Sequence, residues 1–61
     1  MDVLFFTREQ AAEVTNTSED TIRRAINRGT LRAKRLGESR NAKYLISREA
    51  LFAWFEQLED A

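Results

Sequence analysis

Within "SEDTIRRAINRG", residues 18 to 29, Asp20, Arg23, Arg24, Asn27 and Arg28 lie close together. Their side chains suit flat hydrogen-bonding edges. Arginine can donate bidentately to guanine O6 and N7, asparagine can pair with adenine, and a carboxylate can accept from the exocyclic amine of cytosine. A helix advances 100° per residue, so Ile22, Ala25 and Ile26 gather on one side and must face a core. Asp20, Arg24 and Asn27 then turn to the opposite side, with Arg23 and Arg28 on its flanks. Thr21, near the helix start, joins Asp20, Arg24 and Asn27 as a candidate for base contact in a major groove. Asp20 has the wrong sign for phosphate, so it serves either a base amine or the positive end of the helix dipole.

The surrounding charge supports a polyanionic partner. Lys and Arg balance Asp and Glu at ten each, yet residues 23 to 43 carry eight basic side chains against Glu38 alone, and the acids collect toward the ends. Such sorting fits either a nucleic-acid contact or a solvated charged surface. The candidates for phosphate contact are Ser18, Arg23, Arg28, Arg32, Lys34, Arg35 and Lys43. Other chemistries are hard to assemble. With 61 residues the chain has room for one small domain and little room for an enclosed pocket, so neither an enzyme nor a small-molecule substrate is expected. The absence of Cys and His removes disulfides, thiol nucleophiles, imidazole bases and the usual zinc ligands, and no cofactor is expected. No apolar run approaches the roughly 20 residues that span a bilayer, and "DVLFF" lacks the basic flank and long apolar region of a signal peptide. The expectation is a soluble, cytoplasmic chain with no membrane partner.

Local signals lay out the elements that must hold these side chains. Thr7 with Gln10 makes a capping-box pattern, Phe6 is placed to staple onto Ala11, and a helix is expected from Arg8 to near Val14. Ser18 is the next N-cap candidate, Glu19 and Asp20 supply acid to the first turn, and Gly29 suits a left-handed C-cap. Between the two helices stand Thr15, Asn16 and Thr17, and Asn tolerates the left-handed conformation that so short a turn needs. "LRAKRL" (31–36) and "KYLI" (43–46) read as two strands joined by the polar loop "GESRNA" (37–42). Ser47 then caps a last helix whose Leu51, Trp54, Phe55 and Leu58 have the spacing of a buried stripe. Trp54 and Tyr44 are assigned to packing rather than to base stacking. Phe52 stands off the stripe, either covering the apolar start or meeting another protein.

"TREQAAE", "SEDTIRRAINRGTLRA" and "YLISREALFAWF" together resemble the small winged helix-turn-helix proteins related to MerR, and especially phage and actinobacterial excisionases, also called recombination directionality factors. The resemblance covers nearly the whole chain. It implies a small α+β fold filling residues 1–61: helix, turn, recognition helix, two-stranded hairpin wing and closing helix. It also implies that Asp20 and Arg24 match the family's base-reading acid and arginine, that Arg23 matches a phosphate-contacting position, and that a basic residue at the wing tip, here Arg40, reaches the minor groove. Narrow A·T-rich minor grooves attract arginine, so that contact would read shape more than base identity. The chain departs from the family in carrying Asn16 where members often have Gly, and in a fairly long wing tip.

The function this implies is double-stranded DNA binding that bends attachment-site DNA and places an integrase for excision, with cooperative self-association along DNA. The chain ends just after Leu58, so the long dimerising helix of full MerR regulators is not expected. A small MerR-like transcription regulator would need the same groove recognition. A protein-interaction module using the acidic, aromatic last helix is the alternative from another class.

Overall fold

The computed structural model describes residues 3–38 and 43–59. The elements run β1 (Phe5–Phe6), α1 (Arg8–Thr15), α2 (Glu19–Arg28), β2 (Lys34–Leu36), β3 (Lys43–Ser47) and α3 (Arg48–Glu56). This is a small α+β winged helix-turn-helix, in which the hairpin β2–β3 forms the wing and β1 adds a third strand. Arg40, the residue expected at the wing tip, lies outside the described residues.

Each helix starts where its cap predicts. At α1 the Thr7 hydroxyl accepts from the Gln10 N–H at 3.2 Å, while Gln10 Oε1 accepts from the Thr7 N–H at 3.0 Å, closing the capping box. Phe6 and Ala11 are both buried in the common core, in keeping with the staple. The helix runs one residue past Val14 and stops at Asn16, whose φ of 56° and ψ of 40° are left-handed. There the Thr17 N–H donates to the Ala12 carbonyl at 2.8 Å, and the Thr15 and Thr17 hydroxyls lie 2.9 Å apart. Asn16 thus makes the turn without glycine.

α2 is fixed at both ends. Ser18 Oγ accepts from the Thr21 N–H at 3.1 Å, and Gly29 closes the helix at φ 81°. The Ala25 carbonyl then receives the N–H groups of Thr30 and Leu31 at 3.0 and 3.2 Å and the Thr30 hydroxyl at 3.1 Å. This cap explains a departure from the expected strand over residues 31–36. Leu31 is held back toward the helix end and buried as a core plug, so regular pairing begins only at Lys34.

The antiparallel sheet has the order β1-β3-β2. Lys34 pairs with Leu45, Arg35 with Tyr44 and Leu36 with Lys43, while Phe5 pairs with Ser47 and Phe6 with Ile46. An Arg48 N–H donating to the Leu4 carbonyl at 2.9 Å continues the β1 contact. Ile22, Leu31, Ile46 and Leu51 are the largest fully buried side chains, with Phe6, Ala11, Ala12, Ala25 and Trp54 around them.

The expected four-residue stripe of α3 is only half buried. Leu51 and Trp54 enter the core, whereas Phe55 and Leu58 stay 49% and 42% exposed. The helix ends at Glu56, so Leu58 lies past the last turn and loses the helical spacing that would have aimed it inward. Phe52 is 48% exposed, and Val3, Leu4 and Phe5 are open as well, so the apolar start is not closed over by Phe52. Among the described residues, no helix is long and apolar enough to cross a membrane.

Candidate nucleic-acid interface

α2 carries its buried and polar faces as its spacing requires. Ile22 and Ala25 are buried and Ile26 packs against the core, while Asp20, Thr21, Arg24 and Asn27 are all exposed. Arg23 and Arg28 are exposed on the flanks. The acidic first turn of Glu19 and Asp20 and the basic last turn of Arg28 both follow the helix dipole. Thr21, Arg24 and Arg28 help line an open groove of about 400 Å³ that also includes Thr30, Trp54, Gln57 and Leu58.

Asp20 does not stand alone on the outward face. Its Oδ1 accepts a short hydrogen bond from Arg23 Nη2, and its Oδ2 forms an ion pair with Arg24 Nε at 2.9 Å. The hydrogen bond from Arg23, and then the charge of Arg24, hold the Asp20 carboxyl below its ordinary pKa despite opposing desolvation. The carboxylate therefore bridges two guanidinium groups. The bridge is a third role for Asp20, beside the base contact and the helix dipole expected from its position. The spacing itself contained the signal, since side chains three and four residues apart on a helix are neighbours.

The remaining basic candidates are distributed rather than gathered. Lys34, paired with Leu45, and Lys43, paired with Leu36, share one face of the hairpin, while Arg35, opposite Tyr44, lies on the other. Arg32 and Lys34 border a groove of about 530 Å³ that reaches Ser47, Glu49 and Ala50 of the α3 side. Lys43 borders a different groove with Thr7, Arg8 and Glu19. Arg35 Nη2 donates to the Glu38 carbonyl at 3.3 Å. Ser18 serves its helix as cap, and its hydroxyl lies 2.9 Å from that of Thr21, so both hydroxyls are engaged at the start of α2.

Arg8 is a functional candidate outside the set expected from the sequence. Its guanidinium lies over the Tyr44 ring, 5.7 Å from the centroid, and its Nε is 4.0 Å from Glu19 Oε1. A cation in the first turn of a helix opposes the dipole, which is a sequence-level sign that it answers to another element. Here it joins α1 to the wing and to the start of α2. The Tyr44 ring is part-buried and faces Arg8 rather than only its own hairpin, while buried Trp54 agrees with its assignment to the core.

Comparison with known proteins agrees with this architecture. The family model described as a helix-turn-helix domain matches residues 5–59, from β1 to just beyond α3. No curated protein matches the chain. No solved structure matches it either.

Proposed function

The chain belongs to the helix-turn-helix domain family, whose DNA-binding function it shares, and from that premise we propose that it is an excisionase, a non-enzymatic architectural protein that helps an integrase run site-specific recombination toward excision. The observation that carries the DNA contact is the outward face of α2. Thr21, Arg24 and Asn27 project there from a helix fixed at both caps, and the Arg24 side chain is 66% exposed. α2 enters the major groove, Arg24 donates to a guanine edge, and the basic residues of the flanks and wing engage phosphates. Bending of the attachment site adds contacts that offset its elastic cost. The residues 1–61 act as a single winged domain, and several copies along clustered sites supply the affinity that one small domain lacks. It works in the bacterial cytoplasm on nucleoid DNA, where Arg40 contacts the minor groove.

Two experiments test this. Binding to duplex DNA should fall steeply between about 50 and 200 mM salt as condensed cations are displaced, and a flat response would end the DNA reading. The excision role is tested by gene context and reconstitution. An integrase encoded beside this chain should excise more efficiently when the protein is added to a pair of recombined attachment sites; regulation of a promoter without any effect on excision would favour the transcription regulator.

A further inference from the structure

The Asp20 carboxylate has one guanidinium on each oxygen, with Arg23 on Oδ1 and Arg24 on Oδ2. Its closest approach to Arg24 is at Nε, the guanidinium nitrogen bonded to the side-chain stem. Among the described residues the terminal nitrogens of Arg24 make no hydrogen bond, and these two nitrogens form the fork that would pair with guanine O6 and N7. We propose that Asp20 is a positioning residue, which holds Arg24 by Nε so that its terminal fork faces one base pair, and is not itself a reader of a second base. This rests on the DNA-binding reading above and specifies how its central contact is made.

Three physical points favour this role. Each carboxylate oxygen already accepts from an arginine, so only its remaining lone pair is left for a cytosine amine. Bridging two cations leaves the group of three with a net positive charge, which removes the conflict of an acid facing phosphates. An unrestrained arginine loses much rotamer freedom on docking, and one restrained before contact loses less. So exposed an ion pair adds little to folding, and its consequence lies in where it keeps Arg24.

The test begins by selecting preferred duplexes from a random-sequence pool with the wild-type chain. Preference at every base pair is then measured for wild type, Asp20→Ala, Arg24→Ala and the double variant, at one salt concentration. Asp20→Ala should lower discrimination about tenfold at the base pair that Arg24→Ala affects, and at no other. The double variant should match Arg24→Ala. Asp20→Glu keeps a carboxylate within reach of both arginines and should restore most of the preference, which loss of helix stability alone does not explain. Loss of preference at a different base pair, or losses that multiply in the double variant, would overturn the positioning role and make Asp20 a reader. Unchanged preference in Asp20→Ala would also overturn it while leaving DNA binding intact. A wild-type chain that selects no sequence would overturn the underlying sequence-specific reading and this inference together.

Discussion

α2 and α3 are nearly equal in length and begin alike, each on a serine whose hydroxyl accepts an N–H at 3.1 Å from the third residue onward. They finish differently. α2 closes on left-handed Gly29, whereas α3 ends in a right-handed Gln57 with no basic residue in its last turn. Their outer faces differ more: α2 presents Asp20, Arg24 and Asn27, while α3 leaves Phe52 and Phe55 half open. Equal periodicity and equal caps thus produce one helix suited to a charged groove and one with apolar surface to spare. The inward stripe sets how a helix packs, and the outward residues set what it can meet.

The largest effect on this contrast should come from the inward side. Trp54→Ala removes the biggest buried side chain of α3 and should cost about 3–5 kcal/mol, enough to unfold much of so small a domain; thermal melting followed by circular dichroism would show it. The outward side of α2 should behave in the opposite manner. Arg24→Ala should leave the melt nearly unchanged while costing about 1–3 kcal/mol of binding to the preferred duplex, measured by fluorescence anisotropy. If instead stability falls and binding per folded molecule holds, Arg24 belongs to the scaffold.

The helix ends supply a finer test. A Cβ at Gly29 would meet no heavy atom within 4 Å, so Gly29→Ala should cost only the left-handed backbone strain, about 1–2 kcal/mol in a denaturant midpoint measurement. A much larger loss would mean that the hydrogen bonds gathered on the Ala25 carbonyl fail with it. The smallest effect is expected at Phe55. Phe55→Ser should change stability by less than about 0.5 kcal/mol and leave DNA affinity alone, and a substantial change in either would show that the exposed aromatic face matters to the isolated domain.

Much of this contrast was readable in advance because it rests on local chemistry. Thr7, Ser18 and Ser47 announce helix starts through their own hydroxyls, Asn16 and Gly29 mark left-handed positions, and the inward set of α2 follows from a period of 3.6. What escaped the reading depends on distant partners or on counting turns. β1 is two residues long, too short for alternation to reveal it, and exists only because β3 offers a free edge. Leu31 reads as the first residue of a strand until its N–H is seen to be claimed by the Ala25 carbonyl. Phe55 and Leu58 satisfy the helical spacing, yet Phe55 stays half exposed within the helix and Leu58 falls beyond its end at Glu56. At the candidate site the outward set of α2 was legible, whereas the Asp20 bridge and the Arg8–Tyr44 contact join residues first considered one by one.

The pairing of Phe5 with Ser47 brings together residues separated by most of the chain. Both helices of the helix-turn-helix and the whole wing lie inside the loop that this ladder closes. Closing a loop this long has an entropic cost that is offset only once strand and core contacts form together, so β1 and β3 should join late in folding. Until that step the helical unit lacks the Phe6 part of its core, and a growing chain does not complete the sheet before β3 has been made. The shortest strand in the molecule therefore sets when α2 acquires its final support.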